Sequence, residues 1–430
     1  MLVCSKFLYQ VANKCSSSAS HKGLAALQFG NELNNRARGG SYIMSANLEE
    51  KPILRYDPKT FGYSVISDAP EVDQTHKPGE VYFSEDVMKT EIEEIFMKEW
   101  LLVGRVEEVE KSGDYFTHQV ADEPVVVARD KAGNIQAFAN VCRHRGVKVA
   151  WGEGNTKYFS CPYHGWVYDT NGALVDAQYL DKSKSFDKKN CSLPKIRTEM
   201  WEGFIFINFN DDAQPLMHSL EAWDFPKTYE PYQMGRLRLA NKFAMDIPSN
   251  WKFLNENLTD IYHIAVLHAA TFGPAQPLEG YRYKTFDGGY HGRFTGGTLV
   301  PEGKSLFGPI PWLPEELHSG GFSSHLPPNV AWFPRFDYVS IGTNWPISAD
   351  KSVSITYQLF PEDHFSQPDF KEKAQQYVDF YRAFMDEDTE MIDALQKGMK
   401  SRFYKPGPVS PFEAGVMGTI KHAVDDLGHG

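Results

Sequence analysis

The sequence predicts an α+β protein of two domains, an antiparallel β domain followed by a mixed domain that ends on one long helix. Three observations predict it. The chain has 430 residues, more than one ordinary domain holds. Between 101 and 210 its apolar residues fall in short strand-like runs set off by turn signals. Beyond 235, strand-like and helix-like runs mix, and a helical stripe occupies about 368–400.

Taken in order, residues 1–44 read as a leader. They carry Lys6, Lys14, Lys22, Arg36 and Arg38 against the single acid Glu32, with a polar cluster at Ser16, Ser17 and Ser18. Basic, acid-poor and serine-containing is how an organellar transit peptide reads, here mitochondrial rather than plastid. A disordered tail, or a start at Met44, reads the same way, and the segment is set aside from the fold. Residues 45–80 read as an extended arm rich in Pro, Asp and Lys. Glu85–Trp100 has helical spacing at Val87, Ile92, Ile95, Phe96 and Trp100. Strands are expected at Leu101–Val106, Tyr115–Val120, Pro124–Arg129, Ile135–Asn140 and Gly203–Phe209. Turns at Lys131-Ala-Gly-Asn and Thr170-Asn-Gly separate them. The polar, Pro-containing stretch 211–235 serves as the boundary, which divides an N-terminal arm and β domain (45–215, core about 100–210) from a second domain (216–430). In that second domain a helix is expected near 250–268 and strands near 281–300, 329–345 and 352–360. The segment 301–328, rich in Pro, Gly, Ser and His, reads as a long binding loop.

Composition narrows the function. Hydrophobic residues make 42% and charged residues 23%, as in ordinary globular proteins, and no apolar run is long enough to span a bilayer. The expectation is a soluble intracellular protein with no membrane association. A net charge of −12 without a basic stripe argues against nucleic acid. The five cysteines (Cys4, Cys15, Cys142, Cys161 and Cys191) give no disulfide framework, and Cys191 reads as a free thiol.

Four residues carry the chemistry. Cys142 and His144 form Cys-x-His; after sixteen intervening residues, Cys161 and His164 form Cys-x-x-His. Two thiolates and two neutral imidazoles suit a [2Fe–2S] cluster in which two His replace two Cys on one iron. Structural zinc takes the same ligand types. The tight spacing, and the Gly146, Pro162, Gly165 and Trp166 around the ligands, favour the cluster, because Gly lets backbone N–H groups approach sulfur.

Cys-Arg-His-Arg-Gly and Cys-Pro-Tyr-His-Gly-Trp resemble the Rieske motif of the non-haem iron aromatic-ring-hydroxylating oxygenases, catalytic (alpha) subunit. The resemblance extends over most of the chain from about residue 50. It implies a Rieske [2Fe–2S] domain followed by an α/β helix-grip (START-like) catalytic domain, whose antiparallel sheet curves around the long helix.

A second metal site lies in Asn250–His268. There His263 and His268, with a carboxylate, make the two-His, one-carboxylate set of non-haem Fe(II) oxygenases. Asp260 and His263 are three apart and share a helix face. His263 and His268 are five apart, about 140° around an ideal helix. A straight helix cannot aim both at one ion, so it must loosen or end before His268, as Gly273-Pro274 suggests. The stretch Glu-Asn-x-x-Asp-x-Tyr-His-x4-His resembles the iron motif of the same family. That resemblance places the third ligand on the C-terminal helix, where Asp386, Glu387, Asp388 and Glu390 stand. The stripe of Tyr377, Tyr381, Phe384, Met391, Ile392, Leu395 and Met399 selects Asp388, roughly 20° from its centre. Asp386 lies opposite and Glu387 at the edge. The resemblance gives Asp260 a different, catalytic role: it bridges His164 of one subunit to His263 of the next, which implies a head-to-tail homotrimer.

The expected enzyme is a Rieske oxygenase that hydroxylates or dihydroxylates a small, aromatic substrate with O₂. Electrons come from NAD(P)H through a separate flavin reductase, or a ferredoxin and reductase, since no flavin or nicotinamide fingerprint is visible in the chain. One rival is a monooxygenase or demethylase of a choline- or carnitine-like quaternary amine, with a cage drawn from Trp312, Trp332, Phe333, Phe336 and Trp345. Plant choline monooxygenases place three residues between the Asp and the first His, whereas this chain has two, Ile261 and Tyr262. The other rival is a pure electron-transfer Rieske protein.

Overall fold

The computed structural model describes residues 74–180, 182–276, 281–286 and 288–428. The basic segment 1–44, with its targeting expectation, and most of the expected arm lie outside the described residues. No helix among the described residues is long and apolar enough to cross a membrane.

The stripe before Trp100 forms α1 (Glu80–Phe83) and α2 (Glu85–Glu91), the latter continued by one wide π turn over Ile92–Phe96. Ser84 starts α2 by accepting the Val87 N–H on its hydroxyl. Trp100 lies beyond the helix and donates its indole N–H to Gln214 O.

The β domain follows as β1 (Leu101–Arg105), β2 (Asp114–Val120), β3 (Glu123–Arg129), β4 (Ile135–Ala139), β5 (Glu153–Asn155), β6 (Tyr158–Ser160), β7 (Val167–Asp169), β8 (Leu174–Asp176), β9 (Lys195–Trp201) and β10 (Phe204–Asn208). Seven strands make one antiparallel sheet in the order β1-β10-β9-β4-β3-β2-β5, and β6-β7-β8 make a small second sheet. Val126, Phe138, Phe159, Trp166, Tyr168 and Leu174 form the core between them, and Cys142 and Cys161 are buried in it.

The segment 211–235 contains α3 (Leu216–Ala222) and α4 (Phe225–Tyr229). Leu216, Leu220, Phe225, Tyr229 and Tyr232 are buried with Leu102, Phe204 and Phe206 on one side and Trp332, Ile341, Tyr357 and Leu359 on the other. The two halves therefore share a core.

The second half runs β11 (Leu237–Ile247), α5 (Trp251–Thr259), α6 (Ile264–Leu267), β12 (Arg282–Thr285), β13 (Tyr290–Phe294), β14 (Gly321–Leu326), β15 (Val330–Pro334), β16 (Val339–Ser348), β17 (Lys351–Pro361), α7 (Phe370–Gly398) and α8 (Ala414–Ile420). Its antiparallel sheet has the order β11-β17-β16-β15-β14-β13-β12, and α7 lies against it as the gripped helix. Tyr377 of α7 packs with Tyr338 and Phe360 of the sheet, and Asn241 of β11 donates to Ala374 O. Three differences from the sequence reading stand out. Most of 301–328 is loop, but its end is β14, paired on both sides. The single helix near 250–268 is two helices. In the stripe of α7, Met391 and Leu395 are exposed, while Asp388, Ile392 and Gln396 are buried.

Behind α5 lies a buried polar cluster. Lys252 pairs with Glu91, both fully buried; Trp251 also donates to Glu91, and Tyr82 donates to Glu256 at 2.9 Å. Burial lifts the Glu256 carboxyl to about 7, although the Tyr82 hydrogen bond and Lys252 pull it down. The unfolded chain therefore loses this proton at lower pH than the folded chain. Stability should fall as pH rises from roughly 4.5 to 7, by about 3 kcal/mol from this group. Glu256→Gln keeps the acceptor for Tyr82 and removes the titration. Urea unfolding midpoints should then lose that part of their pH dependence, and an unchanged pH profile would contradict the assignment.

Candidate functional site

The two cluster loops are built alike. In the β4–β5 connection, Gly146 N–H bonds Cys142 O at 2.9 Å and Cys142 N–H bonds Val147 O at 2.9 Å. In the β6–β7 turn, Gly165 N–H bonds Cys161 O at 3.0 Å and Cys161 N–H bonds Trp166 O at 2.8 Å. Each loop closes through a left-handed glycine, Gly146 at φ +80° and Gly165 at φ +68°, a conformation that strains any residue with a Cβ. The loops bring His144 Nδ1 within 3.0 Å of His164 Nδ1 at the exposed tip, above the two buried sulfurs. Burial pushes the Cys161 thiol up, and the N–H groups of Tyr163 and His164 on the sulfur pull it back. Desolvation, with the charges of His144 and Arg145, lowers the His164 imidazole. Paired buried sulfurs, convergent imidazoles and N–H groups on sulfur fit a His-ligated cluster.

Tyr168 is a residue that the sequence reading did not identify. Its hydroxyl accepts Arg143 N–H at 3.0 Å and lies 3.3 Å from Cys142 Sγ. With its lone pair engaged, the hydroxyl proton points to sulfur. Such a bond stabilises the more negative, reduced cluster. Tyr168→Phe should lower the reduction potential by roughly 50 mV, the one-electron equivalent of about 1 kcal/mol. Redox titration of the cluster absorbance measures it, and an unchanged potential would remove Tyr168 from this role.

The second site forms where the helix breaks. Asn250 caps α5 by accepting Lys252 N–H. Asp260 ends it in extended conformation, φ −81° and ψ 112°. One Asp260 oxygen accepts Tyr262 N–H at 2.6 Å, which makes the turn. The other meets His263 Nδ1 at 3.1 Å. The break thus resolves the 140° conflict: His263 precedes α6 and His268 ends it. His268 Nδ1 meets Glu387 Oε2 at 2.7 Å, and Thr271 donates to the same oxygen.

With each Nδ1–H donated to a carboxylate, both Nε2 lone pairs point inward. They lie 3.2 Å apart. Asp388 Oδ1 sits 2.9 Å from His268 Nε2 and 3.6 Å from His263 Nε2. That oxygen is buried and makes no properly directed hydrogen bond. Burial lowers the His263 pKa, but Asp260 and Asp388 outweigh it, so the imidazole sits above its ordinary value. Three electron pairs aimed at one another repel unless a cation joins them. His263, His268 and Asp388 together form a metal-binding geometry, their ligand atoms within 4.8 Å of one another, and the donor set suits Fe(II). Glu387, placed at the edge of the stripe in sequence, orients His268. Glu387→Gln should weaken iron binding about tenfold to a hundredfold and leave the cluster absorbance unchanged; metal analysis after dialysis against a chelator reads this.

The three residues open into a cavity walled by Phe272, Phe294, Phe333, Tyr381 and Phe384. Of the cage residues considered from sequence, only Phe333 lines it. Strand alternation turns Trp332 to the other face, against Trp201 and Phe204. Trp345 packs on Phe96 and His118, Trp312 lies under Arg236, and Phe336 packs in the core shared with the β domain.

Comparison with known proteins agrees with this arrangement. A model of the Rieske [2Fe-2S] domain matches residues 99–187, and one of the ring hydroxylating alpha subunit (catalytic domain) matches residues 234–427. The chain is 29% identical to a carnitine monooxygenase oxygenase subunit of Acinetobacter baumannii over 333 residues, 76% of this chain and 86% of the relative. It is 38% identical over 191 residues to the benzene 1,2-dioxygenase subunit alpha of Pseudomonas putida, 43% of this chain and 42% of that one. A solved quaternary ammonium Rieske monooxygenase superposes with a TM-score of 0.73 at 25% identity, covering 84% of this chain and 97% of the other. Naphthalene 1,2-dioxygenase from Rhodococcus sp. shares the fold, with a TM-score of 0.67 at 20% identity over 81% of this chain and 93% of that one. With the two models matched in the order that the two sites occupy along the chain, the protein belongs to the Rieske ring-hydroxylating oxygenases, as a catalytic alpha subunit that uses a [2Fe–2S] cluster and non-haem iron to incorporate O₂.

Proposed function

We propose that Cys142, His144, Cys161 and His164 hold the cluster in a domain spanning about 45–215. We assign His263, His268 and Asp388 to the iron in a domain spanning 216–430, with Asp260 as the carboxylate between the two centres. The observation that carries the iron assignment is the convergence of two Nε2 lone pairs and an unpartnered buried carboxylate oxygen. When bound, the cluster supplies single electrons and the iron activates O₂. The protein's own part is to fix both imidazole tautomers through Asp260 and Glu387, and to hold the substrate among aromatic rings away from water. Electrons come from NAD(P)H through a flavin reductase, with or without a ferredoxin. Metal and sulfide analysis should give about three irons per chain, where a pure electron carrier would give about two. O₂ and NADH consumption with a surrogate reductase, screened over aromatic acids and quaternary amines, tests the reaction.

The substrate reading is a small aromatic molecule hydroxylated in the aromatic-lined cavity. A second reading, oxidation of a quaternary amine, is supported by carnitine monooxygenase subunits that match this chain over most of their own length. The same rings would face an ammonium group.

We further propose a head-to-tail homotrimer. Within the chain, among the described residues, no hydrogen bond joins His164 to Asp260. Apolar side chains stand exposed beside residues of both centres: Tyr163 against His164, Tyr262 next to His263, Val266 on α6 between His263 and His268, and Met391 one helical turn beyond Asp388. Tyr163 and Tyr262 are each more than half exposed, which suits faces that a neighbouring subunit covers. Sedimentation at assay concentration should show trimers, and a fully active monomer would overturn the proposal.

A further inference from the structure

Among the described residues that line the cavity, one Lys or Arg appears, Arg335. It follows β15, at a position that alternation places on the same face as Ala331 and Phe333, which also line the cavity. Its side chain is buried, with 2% of the residue exposed. Its backbone N–H bonds Tyr338 O. Of the guanidinium, Nη1 donates to Phe322 O at 2.8 Å, while Nε is buried and has no partner. No carboxylate among the described residues lies within 4.0 Å of it. Asp337, two residues on, is occupied elsewhere, accepting from Thr298 and Tyr377. Phe294 and Phe333 flank the guanidinium, their ring centres 4.3 and 5.7 Å away. Arg293 makes the contrast: its guanidinium reaches three main-chain oxygens, of Phe294, Gly321 and Ser319.

Burial pulls the Arg335 pKa down to about 10, which leaves it charged at neutral pH. Asp337 attracts the guanidinium through space but makes no hydrogen bond or close ion pair with it. A buried charge so weakly compensated is costly, and a buried donor without a partner calls for one. A planar guanidinium fork matches the paired oxygens of a carboxylate.

We propose that Arg335 binds a carboxylate of the substrate, with the rest of the molecule lying among the aromatic rings beside His263, His268 and Asp388. The inference deepens the oxygenase reading and rests on it. It favours aromatic acids over neutral arenes, and carboxylated quaternary amines over choline. Both acid classes share the group that Arg335 recognises.

The test is calorimetric binding to holoenzyme whose iron content and cluster spectrum have been verified. Benzoate is compared with benzamide, and trimethylglycine with choline. At least one acid should bind, about tenfold or more tighter than its partner lacking the carboxylate. Benzoate binding assigns the aromatic class and trimethylglycine the amine class. Arg335→Gln should abolish the preference, and Arg335→Lys should restore part of it. A merely structural arginine would give Arg335→Gln equal losses for both members of a pair. That result, equal wild-type affinities within each pair, or no acid binding at millimolar concentration would overturn the proposal. Should Arg335→Gln fail to fold, the wild-type comparison and Arg335→Lys still decide. Failure of the oxygenase reading appears separately, as missing iron or cluster absorbance before any ligand is added.

Discussion

Asp388→Ala should empty the mononuclear iron site. In the proposed site the residue supplies one of three ligands and the negative charge that offsets the metal, on a buried oxygen with no properly directed hydrogen bond. Fe(II) affinity should drop by roughly a thousandfold or more, and turnover should vanish with the metal. Asp260→Asn provides the contrast. It keeps the side-chain volume and all three ligands, so iron should remain bound and the cluster should still reduce. What it removes is the charge facing His263 Nδ1 at 3.1 Å. Single-turnover oxidation of the reduced cluster should therefore slow by about a hundredfold. Iron analysis and stopped-flow absorbance separate the two variants. If Asp260→Asn loses iron while Asp388→Ala retains it, the two assignments are exchanged.

Cys142→Ala or His164→Ala should abolish the rhombic EPR signal of the reduced cluster and, with it, all coupled O₂ consumption. Among the described residues no other buried thiol stands ready to replace Cys142, since Cys161 is its partner and Cys191 lies outside the loops. His263→Ala should leave that signal intact while removing iron and activity, because the cluster loops belong to the β domain and His263 follows α5. Loss of both centres in His263→Ala would argue against independent sites, and a colourless zinc protein would sink the cluster assignment altogether.

Much of this was legible because it is local. The strands β1 to β4 and β10 fall within about one residue of their sequence-derived bounds, since apolar runs end at turn residues that the backbone itself requires. β14 was not legible. Its Ser323, Ser324 and His325 are polar yet buried, and β13 and β15 pair its backbone on both sides. β11 was hidden likewise, because Arg238, Asn241 and Lys242 break the apolar pattern of a strand that pairs with β17 along its length. In α7 the stripe chose Asp388 correctly as a buried carboxylate but took in Met391 and Leu395, which are exposed.

The sequence by itself singled out the four candidate cluster residues, the His263 and His268 pair, and the need for a helix break between them, because each is a matter of spacing within one turn or one helix. It also singled out Asp388, because helical periodicity carries a side chain's direction along a single element. Only the tertiary structure decided that Asp260 makes the break, that Glu387 fixes His268 across 119 residues of chain, that Tyr168 reaches Cys142, and that Arg335 stands in the cavity wall with its Nε unpartnered. Those roles arise where separate elements meet, and no repeat in the sequence encodes which polar atom finds a partner there and which is left without one.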